Sequence, residues 1–346
     1  MNAEPRGTVS VKGRMFAFAA HETTDAQQHS AAISECDHVY EQVERGPFRG
    51  RITELLLDSF HVLRDQLFNP HGYVGSSWTG SHVFFSFLPS AGTAYCHGRE
   101  ISENTILKYP RDHLCRAYSS GPIDCLAVSV RDDAIVNESF DLTGQEISPD
   151  LLRRVLYVPS PELVSRFQSC AVDLLNQAAF RPSLLDDDDW RRGAKQGLMQ
   201  MLLDVVEDGT SSGQKLPPPS TRAYVVAKAI EYMRANIASL PVLSDICRTV
   251  RVSPRTLRYS FEEILGVSPA HYLLSLRLRH VRNELLGGRG ANGIHRVAQS
   301  YGFCHMGRFA LFYQQAFGEL PSDTCKAASA VRPSSRSIPR GLQAVS

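Results

Sequence analysis

The feature that most constrains this chain is an internal repeat. When the segment starting at Leu243 is laid over the one starting at Ile294, small and apolar residues coincide at an offset of 51: Ile246 with Val297, Cys247 with Ala298, Val250 with Tyr301, Val252 with Phe303. Past a turn the offset becomes 52, pairing Leu257 with Phe309, Phe261 with Tyr313, Leu265 with Phe317, Gly266 with Gly318 and Pro269 with Pro321. Self-similarity at a fixed period predicts the same small supersecondary unit built twice. The second turn is longer by one residue.

Each copy reads as a short helix, a tight turn and a second helix with apolar residues on one face only. In the first copy that face is Leu257, Phe261, Ile264 and Leu265, and Ser253-Pro254 marks the helix start, because serine caps free amides and proline is tolerated at the first helical position. The opposite face presents Arg255, Arg258, Tyr259 and Glu262 on one stripe. A solvated charged face is the plain reading of such a stripe. Within a duplicated helix-turn-helix, forked guanidinium donors instead suit guanine edges in a DNA major groove. Between the copies, Ser268-Pro269 opens a helix with Leu274, Leu278, Val281 and Leu285 at steps of four, three and four. That helix would hold the two recognition helices about 34 Å apart, one DNA turn, with Arg277, Arg279 and Arg282 available to phosphates.

Charge separates along the chain. Residues 220–326 carry 14 Lys+Arg against 7 Asp+Glu, residues 327–346 add three Arg, and the remaining 219 residues hold 20 basic and 29 acidic side chains. A basic module joined to an acidic one fits a DNA-binding domain attached to a sensor. The length of 346 residues favours two domains. We expect a sensor and dimerisation domain over 1–207, a Gly, Ser and Pro-rich linker over 208–221, the DNA-binding domain over 222–326, and a disordered Ser, Pro and Arg-rich tail over 327–346. No apolar run reaches the ~18 residues that span a bilayer, and the start lacks a signal peptide's apolar core, so a cytoplasmic protein without membrane contact is expected. The eight cysteines lack C-x-x-C spacing and read as reduced core residues, with no metal.

Residues 222–326 resemble the AraC/XylS regulators. The stretch VSPRTLRYSFEEILGVSP, the Arg-containing connector and VAQSYGFCHMGRFALFYQQAFGELP, with its Tyr-Gly-Phe turn and closing Gly-x-x-Pro, carry the likeness. The resemblance implies base reading by Arg255, Arg258 and Tyr259 in the first motif. The corresponding positions of the second motif hold Met306, Gly307, Ala310 and Leu311, which departs from the polar residues usual there, and His305 and Arg308 flank that surface as phosphate contacts or ordinary exposed residues.

In the first 219 residues, short runs rich in Ile, Val, Phe and Tyr from about 48 to 131 suggest an antiparallel β barrel or jelly roll, cupin-like. Segments 161–180 and 191–207 read as helices whose apolar stripes serve either the core or a dimer contact. The arrangement is similar to the family's sensor domains, and GPFRGRITELLLDSFHVLRDQ to its regulators of ethanolamine utilisation. The fold expected is therefore α+β: a β domain with helices, then an all-α double helix-turn-helix. A small-molecule effector would sit inside the barrel, with Trp78, Tyr95 and His97 as candidate lining residues. The expected partners are double-stranded DNA, the effector, RNA polymerase and a second copy of the chain, with no cofactor. The competing reading is a small-molecule barrel enzyme with a DNA-binding appendage. It finds no Walker loop in the sequence.

Overall fold

A computed structural model describes residues 16–34, 38–42, 48–76, 80–96, 99–109, 114–144, 156–157, 159–211 and 221–331. Its N-terminal domain contains β1 (Phe16–Thr23), α1 (Ala26–Ala32), β2 (His38–Gln42), β3 (Gly50–Leu57), β4 (Phe60–Leu67), β5 (His71–Ser76) and β6 (Ser81–Leu88). Next come β7 (Ala94–Cys96), β8 (Arg99–Ile101), β9 (Ile106–Tyr109), β10 (Leu114–Ser119), β11 (Ile123–Arg131), α2 (Asp132–Thr143), β12 (Leu156–Tyr157), α3 (Pro161–Phe180) and α4 (Asp188–Ser211). The strands form two antiparallel sheets, ordered β1-β3-β4-β11-β6-β9-β12 and β2-β5-β10-β7-β8. The arrangement is thus the two-sheet form of the expected antiparallel domain, and no closed barrel is present among the described residues.

Strand periodicity explains why the larger sheet is apolar on both faces. Along β4 and β11, Leu63, Leu67, Ile123 and Ala127 turn toward the smaller sheet, while the alternating Phe60, Val62, Leu126, Val128 and Val130 meet α3 and α4. The stripes of these two helices (Leu163, Phe167, Leu174 and Leu175; Leu198, Leu202 and Val205) are spent on that core. They are closed to the dimer role left open by the sequence.

Two buried polar networks tie α1 and its flank to the larger sheet. His29 Nε2 donates to Asp65 Oδ1 at 2.9 Å, Tyr40 Oη donates to the other oxygen at 2.5 Å, and Thr23 Oγ1 lies 2.6 Å from His29 Nδ1. Just after the helix, Ser34 donates twice to Glu54, which also receives His61 Nε2 at 3.0 Å. Burial alone would raise the Asp65 carboxyl, but hydrogen bonds from His29 and Tyr40 hold it below the ordinary carboxylate range.

The C-terminal domain comprises α5 (Thr221–Ala235), α6 (Leu243–Val250), α7 (Pro254–Leu265), α8 (Pro269–Leu286), α9 (Ile294–Ser300), α10 (Met306–Phe317) and α11 (Pro321–Val331). It has two cores: α5, α6, α7 and the first half of α8 enclose one, and the second half of α8 with α9 and α10 encloses the other. Helix α4 runs to Ser211, so the expected linker is helical over its first residues, while 212–220 lie outside the described residues. The expected disordered tail is helical up to Val331, because Pro321 starts α11 and its Thr324 is buried; residues 332–346 lie outside the described set. Cys96 and Cys247 are buried as expected, but Cys304 is exposed in the second motif's turn. Cys36 lies outside the described residues.

The domains touch at two places. Tyr95 and Tyr118, on the outer face of the smaller sheet, join the core of the first motif, and Arg282 of α8 pairs with Asp25, the residue that caps α1. A cleft of about 290 Å³ lies beside that ion pair, between α1 and β2 on one side and α8 and α10 on the other.

Candidate nucleic-acid interface

The first motif turns through Arg251 in the left-handed region (φ 56°), and Val252 N donates to Cys247 O at 3.1 Å. Ser253 then caps α7, its side chain accepting from Thr256 N at 3.1 Å, and Pro254 occupies the first helical position. Leu257, Ser260, Phe261, Ile264 and Leu265 are buried, which commits one face of the helix and leaves Arg255, Thr256, Arg258 and Tyr259 exposed. The Arg255 guanidinium lies over the Tyr259 ring, 5.3 Å from its centroid, with Nη2 3.3 Å from the phenol oxygen. Arg258 gives its Nε to Glu262 at 2.7 Å, a bond that leaves the terminal fork projecting from the helix and raises the affinity of the guanidinium for its proton. The three residues expected to read bases therefore share one open face.

In the second motif Gly302 takes the left-handed turn position (φ 84°) and Phe303 N donates to Ala298 O at 3.1 Å. Helix α10 has no side-chain cap at His305. Its inner face is a ladder of rings, Phe303, Phe309, Tyr313 and Phe317, at centroid separations of 5.0, 5.6 and 4.7 Å. Tyr313 Oη pairs with Thr324 Oγ1 at 2.8 Å, which anchors α11. His305, Gly307 and Arg308 are exposed, while Met306 is half-buried against the second core. Leu311, Gln314 and Gln315 continue the exposed stripe at helical spacing. The two glutamines are absent from the expected reading surface, although a step of three or four residues from Leu311 reaches both.

Arg277 and Arg282 of the connector are engaged within the protein, at positions where the sequence suggests phosphate contacts. Arg277 Nη2 donates to Pro241 O at 3.0 Å, in front of the first motif, and its guanidinium borders Gly302 in the turn of the second. It therefore fastens one motif to the other. Arg282 donates to Asp25 and to Glu319 (3.1 and 3.3 Å) and lies 4.8 Å over the Phe317 ring, so its charge is internally compensated. Arg279 is half-buried and lines the interdomain cleft.

The candidate effector residues separate differently. Tyr95 faces the first motif, because its neighbours Ala94 and Cys96 take the inward positions of a short strand; Trp78 and His97 lie outside the described residues. The space between the sheets is a cavity of about 60 Å³ lined by Tyr73, Phe85 and Phe87, with Tyr40, Asp65 and His71 at its polar end. His71 holds Ser119 Oγ at 2.9 Å through Nδ1, and burial lowers its pKa to about 4.

Comparison with known proteins bears on the helical domain. A family described as helix-turn-helix domain matches residues 246–327. The chain is similar to the probable thc operon regulatory protein of Rhodococcus erythropolis, 34% identical over 127 residues, 36% of this chain and 38% of that protein. It is also similar to a XylDLEGF operon transcriptional activator of Pseudomonas putida, 36% identical over 101 residues, 29% of this chain and 31% of that protein. The matched stretches thus span under two-fifths of either relative. Among solved structures, the AraC-like transcriptional activator CuxR aligns over 77% of this chain and 96% of its own, with 14% identity and a TM-score of 0.38.

Proposed function

Since the C-terminal domain belongs to the AraC/XylS family of helix-turn-helix proteins, we propose that the chain is a sequence-specific DNA-binding transcription regulator controlled by a small molecule held in its N-terminal domain. The observation that carries this reading is the open face of α7, where Arg255, Arg258 and Tyr259 stay exposed although the N-terminal domain is docked on the same helical core. Forked donors on the outer face of a second helix match guanine O6 and N7 in the major groove. Arg308 at the start of α10 suits a phosphate, and Gln314 and Gln315 suit amide contacts farther along that groove. No described lysine or arginine of α8 is needed for this docking. RNA polymerase and a second copy of the chain complete the proposed set of partners.

The test is a DNA-binding titration of the full chain on fragments from its own promoter region, at rising salt. Binding should weaken steeply and linearly on logarithmic axes, as neutralised phosphates release counterions. Binding indifferent to salt or to sequence would refute the proposal.

A further inference from the structure

The cavity between the sheets and the cleft between the domains share a wall. Among the described residues only Tyr40 lines both. It stands on β2, the edge strand of the smaller sheet, with its ring packed edge-on against His29 at 4.7 Å and Tyr73 at 5.2 Å. Its hydroxyl is held by Asp65 Oδ2, and Asp65 Oδ1 holds His29 inside α1. The cap of α1 is Asp25, whose Oδ1 accepts from the amides of Gln27 and Gln28 while Oδ2 accepts from Arg282. Cavity, Tyr40, Asp65, His29, Asp25 and the DNA-binding domain are therefore joined by consecutive contacts.

Size and charge say what the cavity admits. At about 60 Å³ it is well below the roughly 150 Å³ that holds a benzene-sized guest. A ring-sized occupant needs one wall to yield. The strands carrying Phe85, Phe87 and Tyr73 have a neighbour on each side, whereas Tyr40 stands on an edge strand and borders the interdomain cleft as well. The polar end offers Asp65, and no lysine or arginine is found among the described lining residues. A guest carboxylate would meet a like charge there, whereas a guest hydroxyl could replace the phenol that Tyr40 withdraws and keep the Asp65 hydrogen bond made.

Resting on the regulator reading above, we propose that the cavity takes a small uncharged ring compound bearing one hydroxyl, and that Tyr40 swings into the interdomain cleft to admit it. The displaced ring crowds the cleft beside Arg282, and its withdrawal from the edge contact with the His29 ring, 4.7 Å away, loosens α1, so both effects act on the hold that Asp25 has on α8. Occupancy of the sensor domain would thereby reach the helix joining the two motifs.

Phenol, toluene and benzoate are matched probes for the full chain. By titration calorimetry, phenol should bind at least tenfold more tightly than toluene, which lacks the hydroxyl, and than benzoate, which carries the charge. Tyr40→Ala, which opens the wall, should bind phenol at least tenfold more tightly than the native chain. Tyr40→Phe, which keeps the ring but loses its tether to Asp65, should gain severalfold and serves if the alanine variant does not fold. Hydrogen exchange should rise on phenol binding in residues 26–32 and 269–286 of the native chain, and stay unchanged on phenol binding in Tyr40→Ala. Equal binding of benzoate, absence of phenol binding to the native chain and both variants, or exchange that stays constant at 26–32 in the native complex would each overturn the proposal. DNA binding by the same unliganded samples is read separately. Its absence would sink the regulator reading, whereas DNA binding with a failed phenol series sinks only the cavity assignment.

Discussion

The turns of the two motifs agree to single hydrogen bonds, and the surfaces beyond them hardly agree at all. Val252 N to Cys247 O and Phe303 N to Ala298 O are both 3.1 Å, both turns pass through a left-handed residue, and both recognition helices stop at a left-handed glycine, Gly266 and Gly318, with φ of 71° and 73°. Yet Arg255, Arg258 and Tyr259 on α7 correspond to Gly307, Ala310 and Leu311 on α10. The difference teaches that the repeat preserves what folds the unit and leaves free what the unit touches. Gly307 makes the point sharply. A Cβ added there would meet nothing within 4 Å, and its φ is ordinary, so the missing side chain is no requirement of the fold.

The largest test of this comparison concerns the shared scaffold. Phe261 and Tyr313 are fully buried at equivalent positions, and truncating either to alanine should cost about 3–5 kcal/mol in denaturant unfolding of the chain. If one truncation cost much less than the other, the two cores would not be energetic equivalents. Next come the surfaces. Arg258→Ala should lose about 1–3 kcal/mol at the preferred DNA site and relax selectivity at one base position, while Arg308→Ala should weaken all sequences alike. Titration of both variants against a library of single-base changes decides it, and swapped behaviour would reverse the roles given to the two motifs. A smaller effect distinguishes the cores. Of the equivalent pair only Tyr313 carries a hydroxyl, and Tyr313→Phe should cost about 0.5–1.5 kcal/mol by removing the bond to Thr324. Unchanged unfolding would show that α11 is held by packing alone. The smallest change is Gly307→Ala, expected to stabilise by at most about 1 kcal/mol through helix propensity, with DNA preference intact. A shift in preference would mean that the bare backbone at 307 is itself read.

Much of the helical domain was legible because its signals are local. Ser253, Pro254 and Gly266 mark where α7 begins and ends, and the buried positions recur at helical spacing. The inward turn of Arg277 and Arg282 is also written there. Arg277 is three residues from Leu274 and four from Val281, and Arg282 is four from Leu278 and three from Leu285, so both lie on the buried stripe of α8. Their spacing, more than their charge, sets where they point. In the sheets the limit is different: β11 pairs with β4, placing Cys125 opposite Asp65, and no local pattern encodes a partner so distant in sequence. For the same reason Tyr40, in a short strand between less legible segments, gave no sign that it would close a cavity.

Cys304 is the single residue by which the second turn exceeds the first, and its position has a consequence for how such a unit can change length. Added inside α10, one residue would rotate everything after it by about 100° about the helix axis, swinging Phe309 and Tyr313 out of the core and the reading stripe into it. Placed in the turn, the same residue leaves the angular setting of α10 intact, for Phe309 and Tyr313 remain buried as Leu257 and Phe261 are. The turn is thus a hinge in length as well as direction, and recognition helices can be lengthened away from their neighbour there without being re-aimed.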